Sequence, residues 1–530
     1  MAGFLDEVAG RFAGNEALVF DDPLSGGNTV RWTYQELRDQ ARQMAAALVA
    51  AGVEPGNRVA ILLGNRPEAV AGLFGAAMAG AVPVMLSTFS TRLELEFLLA
   101  DAEATVVLTQ TELLSRRFLQ DIDALRPGLP DLGTVVAVHD PSWTAFLAAG
   151  QAVDAAEIAP RIAATEWTDD GLIFYSSGTT DQPKGIVHSQ RAPTLQFWAQ
   201  AGIFGRHQST RMWTSLPMFW TAGLNTAMGA TLAAGGCWVM QETFEPGAAL
   251  ALMSRERVTE PYCLPHQTAA LAEHPDWGGT DLSSLRCVYG KSAFARHPTV
   301  HGDTDWNMPV GYGLSETCAF FSAHACDAPR PLLRSSYGRL LPGNQVRIVE
   351  PDTGAALLPG QDGELLIKGP TLMKRYVGRT PDECFDQDGF FATGDVGSID
   401  VDGYLHYAGR RTEMIKTGGA NVSPAELEVQ LRACAPVKAA RVIGMPDERL
   451  GQVVVACVGL HHGATADAAD ITSFLADRVA AYKVPKRVLF FADGEIPMTA
   501  SGAKVRDLEL EALVAARLTP TPSPTTRGGP

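Results

Sequence analysis

Cysteine is scarce in this chain: eight residues are spread over 530 (Cys237, Cys263, Cys287, Cys318, Cys326, Cys384, Cys434 and Cys457), and none forms a C-x-x-C pair. That spacing excludes paired-thiolate zinc sites and speaks against a disulfide framework, so reduced thiols in a cytoplasmic protein are expected. Basic residues are in deficit, 43 Lys and Arg against 59 Asp and Glu, for a net charge of −16. Such a surface repels a phosphate backbone, so no nucleic-acid partner is expected, although a local basic pocket for a phosphorylated ligand stays open. The opening MAGFLDEVAG places Asp6 where a leader would be basic then apolar, so no secretory signal is expected. Ala69 to Leu86 is uncharged for 18 residues, long enough to raise the question of a membrane span. Its Ala and Gly content and Pro83 instead predict a buried helix running into a buried strand, "AVPVML".

Apolar residues make up 46% of the chain, enough for substantial cores. Helix and strand signals alternate along it. "TYQELRDQARQMAAALVAAG" opens with Thr33 and Glu36 at capping-box spacing and places Leu37, Ala41, Met44, Ala45, Leu48 and Val49 on one face before Gly52. "NRVAILL", "ATVVLT" and "TVVAVH" read as buried strands, which predicts an α/β fold with largely parallel strands. Near residue 410 the texture changes, and Ser423, Pro424 and Glu426 signal another helix start. The expected division is a large N-terminal domain over 1–410, a small domain over 411–512 and a disordered tail over 513–530, whose Pro, Thr and Gly have nothing to bury.

Between two apparent strands, "GLIFY" and "GIVH", lies YSSGTTDQPKG, Tyr175 to Gly185. Gly178 and Gly185 let the backbone approach a ligand, Ser176, Ser177, Thr179 and Thr180 supply hydroxyls, and Lys184 supplies a mobile positive charge. Such a turn can form an anion nest. It is not a Walker A loop, because Pro183 stands where that motif continues and no G-K-[ST] follows.

YSSGTTDQPKG resembles the phosphate-binding motif of the acyl-adenylate-forming (AMP-binding) superfamily, which includes acyl-CoA synthetases, carrier-protein-loading adenylation domains and firefly-type luciferases. The likeness continues in order through "WTYQEL", "AGVEPGNRVAI", "GYGLSE", "FFATGDVG", "DGYLHYAGRRTEMIKTGGANVSPAELE" and "IPMTASGAKVRD". It implies a multi-subdomain N-terminal domain with parallel-rich sheets and a small mobile α+β C-terminal domain.

The resemblance also implies roles. Glu316 matches the magnesium ligand, with Ser176 as its hydroxyl partner, and Ser315 replaces the commoner Thr. Tyr312, between Gly311 and Gly313, is expected to stack on adenine opposite backbone near Lys291, Ser292 and Ala293. Asp395 is expected to hold the ribose hydroxyls, with Arg410 near ribose and phosphates and Lys416 close to the nucleotide. Lys504 is the lysine that bridges carboxylate and phosphate. Thr412 takes the hinge position, where Asp or Lys is usual, and Gly418 and Gly419 would line the approach of a thiol. Two further departures stand out: Asp181 replaces a usual Gly, and Ala503 separates Gly502 from Lys504.

"LPMFWTAGLN" aligns with the segment lining the acid pocket. Trp220 stands where many relatives carry His, and Thr221 replaces the Asp that amino-acid-activating members use, which disfavours an α-amino acid. Gly223, Leu224, Cys318, Phe320 and Phe321 suggest an apolar pocket, with Phe320 and Phe321 reading equally well as core. The function implied is an acid–CoA ligase that uses ATP, Mg2+ and coenzyme A to convert a fatty, alicyclic or aromatic acid to its thioester. The alternatives are transfer of the activated acid to a carrier protein or an amine, activation of an oxyanion such as nitrite, and a non-catalytic nucleotide-binding relative.

Overall fold

The helix Tyr34–Ala50 starts where a capping box closes: the Thr33 hydroxyl accepts from the Glu36 amide, and the Glu36 carboxylate accepts from the Thr33 amide. Its inner face buries Leu37, Ala41, Met44, Ala45 and Leu48, with Val49 half-buried at the rim. The uncharged stretch beyond it divides into the helix Pro67–Met78 and the strand Val82–Met85, whose four residues are all buried. Among the described residues no helix is long and apolar enough to cross a membrane. The computed structural model describes the whole chain except residues 177–182, 289–291, 302–308, 352, 411–413, 418–419, 448–449, 477, 480–482, 499–504 and 519–530.

The chain forms two compact units. The first holds Met1–Gln345 with Ile367–Phe391 and Gly403–Leu405. Its seven-stranded sheet runs Arg375–Tyr376, Lys184–Ser189, Asp170–Ser176, Val82–Met85, Arg58–Leu62, Ala104–Gln110, Thr134–Val138. From Asp170–Ser176 to Thr134–Val138 every neighbour is parallel, and Lys184–Ser189 and Arg375–Tyr376 are added antiparallel at the other edge. Buried aliphatic strands flanked by helices are what parallel pairing requires. A five-stranded sheet contains Glu260–Pro261, Arg211–Thr214, Cys237–Met240, Glu16–Asp22 and Asn28–Thr33, and an antiparallel three-stranded sheet contains Gly311–Leu314, Ala319–Ala323 and Arg339–Leu340.

The second unit holds Val346–Leu366, Ala392–Asp402 and the chain from His406 onward. One sheet is ordered Gln345–Val349, Gly363–Lys368, Phe391–Ile399, Leu405–Arg410; another joins Ala420–Val422, Ile415–Thr417, Gly451–Leu460, Val437–Asp447 and Arg487–Phe491. The compact division therefore does not coincide with a single cut near residue 410: the segments before it are drawn into the second unit by strand pairing. The expected tail also starts later than residue 513. Residues 513–518 complete the helix Asp507–Leu518, because Leu510 and Val514, four apart on one face, are both fully buried.

Candidate active site

The hairpin that carries the hydroxyl-rich turn pairs Tyr175 with Gly185 and Ser176 with Lys184. Its base is fixed by charge. Arg375 reaches the two Asp170 carboxylate oxygens at 3.0 and 2.6 Å, and Lys374 lies 2.6 Å away. Burial pushes the Asp170 carboxyl up, but these two cations outweigh it and hold the group below the usual carboxylate range. The tip of the turn, with Ser177, Gly178, Thr179, Thr180 and Asp181, lies outside the described residues.

Tyr376 joins this hairpin to Glu316. It stands opposite Ile186 on the edge strand, the Lys184 ammonium sits 5.5 Å from its ring centroid, and its phenol donates to Glu316 Oε1 at 2.9 Å. Burial and the Glu316 carboxylate raise the phenol above its ordinary range, so it stays protonated and donating at neutral pH. The backbone of Glu316 is fastened too, its carbonyl accepting from the Met373 amide at 2.7 Å. One residue earlier, the Ser315 carbonyl accepts from His188 Nε2 at 2.8 Å. His188 is fully buried with its ring edge-on to Phe174, and burial pushes its pKa down to about 4. The neutral Nε2–H tautomer is thereby fixed, and Nδ1 has no hydrogen-bond partner among the described residues.

Ser176, Lys184, Tyr376, Glu316 and Ser315 thus form one continuous set of contacts. Neither Tyr376 nor His188 was predicted to belong to it. Both sit at strand positions where an aromatic or imidazole ring reads as core, and no spacing signal links Tyr376 to Glu316.

Tyr312 lies on the strand Gly311–Leu314 opposite Ser322 and is nearly buried, with the Phe321 ring edge-on at 6.5 Å. Ser292 stands at the N-cap position of the short helix Ala293–Arg296 without a side-chain capping bond, and its Oγ is buried without a hydrogen-bond partner among the described residues. Lys291 lies outside them.

Beside this hairpin lies a cavity of about 310 Å³. Of the residues expected around the acid, Thr221 and Phe320 line it, as do Gly311, Gly313 and Ser315. Leu224, Cys318 and Phe321 are instead in the core. Trp220 packs edge-on with Phe89 and Phe219 rather than lining the cavity. Ala222 and Thr226 line the cavity from a π-helix, Ala222–Gly229, and Thr221 immediately precedes it. Gly223 is required there: a Cβ would stand 2.0 Å from the Pro217 carbonyl oxygen. Tyr262 and Thr226 complete the lining and were not predicted.

In the second unit Asp395 is 2% exposed, its amide donates to Thr393 Oγ1, and its Oδ1 lies 3.0 Å from Arg410 Nε. Adjacent strands, Phe391–Ile399 and Leu405–Arg410, present the pair. Lys416 lies on the strand Ile415–Thr417. Thr412, Gly418, Gly419, Ala503 and Lys504 lie outside the described residues.

Residues 5–377 match the family described as AMP-binding enzyme, and residues 426–503 match the AMP-binding enzyme C-terminal domain. The chain belongs to the AMP-binding enzyme family. An indoleacetate–CoA ligase of Aromatoleum aromaticum is 34% identical over 529 residues, covering 98% of this chain and 98% of that protein. Among solved structures, the anthranilate CoA ligase AuaEII in complex with anthranoyl-AMP superposes with a TM-score of 0.80 at 27% identity, covering 98% of each chain. ATP-bound MatB from Rhodopseudomonas palustris gives a TM-score of 0.80 at 26% identity, covering 98% of this chain and 100% of that one. This AMP-binding enzyme is an ATP-dependent, AMP-forming acid–CoA ligase.

Among the described residues no three His, Cys, Asp or Glu side chains gather as a metal cage. Magnesium keeps much of its water and needs one or two carboxylates beside substrate phosphates, which Glu316 next to the hydroxyl-rich hairpin can provide.

Proposed function

We propose that this ligase activates a compact aryl carboxylic acid in the cavity beside Phe320, with the phosphates of ATP at the hydroxyl-rich hairpin. The observation that carries this reading is the contact set from Ser176 through Lys184 and Tyr376 to Glu316, which ends next to Ser315 on the cavity wall. A volume of about 310 Å³ is at the small end of ligand cavities and suits one or two rings better than a long alkyl chain. Indoleacetate and anthranilate, the acids named for two of the similar proteins, are of this size and class.

In the first half-reaction a carboxylate oxygen attacks the α-phosphorus of ATP and the bond to pyrophosphate breaks. In the second, the coenzyme A sulfur attacks the acyl carbon and AMP leaves. Glu316 and Ser176 would hold magnesium, which neutralises phosphate charge when bound. Lys184 supplies a cation at the base of the turn, Tyr312 stacks on adenine, and the orphaned Ser292 Oγ is available to the adenine edge. Asp395 and Arg410 are assigned to ribose, and Lys504 to bridging carboxylate and phosphate. Thr412 is assigned the hinge, Lys416 a place near the nucleotide, and Gly418 and Gly419 the thiol's approach.

The test is acid-dependent pyrophosphate release, followed by addition of coenzyme A and detection of the thioester by mass. Lys504→Ala is expected to abolish pyrophosphate release. Activation of long-chain acids to the exclusion of aryl acids would overturn the aryl assignment.

A further inference from the structure

Phe320 and Thr226 line the cavity from a strand and from the π-helix, and Tyr262 lines it just after the strand Glu260–Pro261. The helix Arg191–Ile203 packs against the first two of these elements, and its buried amides join them without lining the cavity themselves. Gln196 donates its side-chain NH2 to the Phe320 carbonyl at 2.7 Å and to the Thr317 carbonyl at 3.1 Å. Its own oxygen accepts from Gln200 Nε2, one turn on, at 3.0 Å. Gln200 Oε1 in turn accepts the Thr226 hydroxyl at 2.5 Å. Arg206, just beyond the helix, ties in the third wall: it donates to the Thr226 carbonyl and binds the Glu260 carboxylate at 2.9 and 2.5 Å. Ring packing repeats the tie, with Phe204 stacked on Phe320 at 6.3 Å and edge-on to Tyr262 at 6.5 Å.

Every link of this chain is buried, and Gln196 and Gln200 are 0% exposed. Stretching a hydrogen bond there strands a donor or an acceptor away from water, a cost that sliding apolar contacts do not carry. Hydrogen-bond lengths also vary little. The two amides therefore act as spacers of fixed length between the Phe320 strand and Thr226. Gln196 has a second duty, because Thr317 directly follows Glu316 and its carbonyl is held by the same NH2. Gln200 bonds only within the chain that leads to Thr226, so it is the link that bears on the acid cavity alone.

We infer that Gln200 sets the size limit of the acid cavity: it is a positioning residue that touches no substrate and holds the Thr226 wall at a fixed spacing from Phe320. Aryl acids that fit between these walls are accepted, and bulkier ones are refused because neither wall can yield without breaking a buried bond. This inference rests on the aryl-acid reading above. Gln200→Leu leaves the Thr226 hydroxyl without its acceptor and the Gln196 oxygen without its donor, which frees the wall. Thr226→Val deletes the same bond from the other side while keeping the side chain's shape, and Thr226→Ser keeps the bond.

The experiment measures kcat/KM for thioester formation by the full chain with ATP, magnesium and coenzyme A. Three arylacetic acids of rising size are used: phenylacetate, indole-3-acetate and 4-biphenylacetate. In the unsubstituted chain 4-biphenylacetate is expected to fall at least about tenfold below the better of the smaller two. In Gln200→Leu that gap is expected to narrow to about threefold or less, while KM for ATP stays within about twofold. Thr226→Val is expected to narrow the gap likewise and Thr226→Ser to retain it; this pair decides the matter if Gln200→Leu does not fold. A flat profile in the unsubstituted chain, or a gap unchanged in either folded variant, overturns the inference while leaving aryl-acid activation standing. Turnover of fatty acids with no aryl acid accepted overturns both readings together.

Discussion

The Tyr376 phenol donates a 2.9 Å hydrogen bond to Glu316 across 60 residues of sequence, while the same ring lies 5.5 Å from the Lys184 ammonium. One aromatic side chain thus touches both the proposed metal ligand and the hydroxyl-rich hairpin. Tyr376→Phe keeps the ring and deletes only the hydrogen bond. Its expected effect is a magnesium requirement about tenfold higher, in the range usual for lost outer-shell partners of metal ligands. Titrating magnesium against pyrophosphate release at saturating acid checks this. A merely structural role would lower activity without moving the magnesium midpoint.

Asp395 is nearly buried and its paired Arg410 is half exposed. Asp395→Asn keeps the volume and removes the charge, so it weakens both the pairing with Arg410 and the proposed grip on the ribose. Hydrogen bonds to a charged group are worth roughly 1.5–3 kcal/mol, so KM for ATP is expected to rise by about 10- to 100-fold, with KM for the acid changing far less. Initial-rate kinetics with each substrate varied in turn separates the two.

His188 gives the protein a defined acid sensitivity. Its folded pKa of about 4 lies below the unfolded value near 6.5. Between these values the unfolded chain binds a proton that the folded one refuses. Stability is therefore undiminished above about pH 6.5 and falls as pH drops toward 4, by at most ~1.4 kcal/mol per pH unit from this group. His188→Gln retains a donor for the Ser315 carbonyl without the titration, so its melting temperature is expected to depend less steeply on pH over that window. Thermal unfolding from pH 7 to 4.5 for the two proteins provides the comparison.

Gly223 has no room for a methyl group. The atoms a Cβ would meet are the Pro217 carbonyl oxygen at 2.0 Å, the Pro217 carbonyl carbon at 2.6 Å and the Leu216 carbonyl oxygen at 2.9 Å, all of them backbone. Main chain cannot swing aside as a side chain can, so Gly223→Ala is expected to cost at least about 2 kcal/mol and to shift the wall that carries Thr226. A lowered melting temperature together with weaker acid binding is the expected pair of readouts.

What could be read from the sequence was what local chemistry decides. Thr33 with Glu36 announced a helix because the capping box closes within one turn, and "AVPVML" announced a buried strand because nothing in it can face water. The family motifs singled out Glu316, Tyr312 and Asp395 because such motifs are short strings that can be read directly along the chain. Tyr376 and Tyr262 were invisible for the opposite reason: strand order and helix packing bring one to Glu316 and the other to the cavity wall, and a tyrosine has no spacing that tells a core ring from one that lines a site. Cys318 and Phe321 were grouped with Phe320 as apolar candidates for the acid pocket, with Phe320 and Phe321 reading equally well as core. Along a strand successive side chains take opposite faces, so Phe321 turns into the core, and Cys318, at a φ of 64° just before the strand, is buried there too.

The wide helical segment Ala222–Gly229 bears on how such a protein changes its diet. Its pitch depends on residue count more than on residue type. Loss of a single codon there would let the segment settle into ordinary α geometry and present its remaining side chains on different faces. Thr226 would leave the cavity wall and a neighbour would take its place, so the lining would change with no lining residue mutated at all.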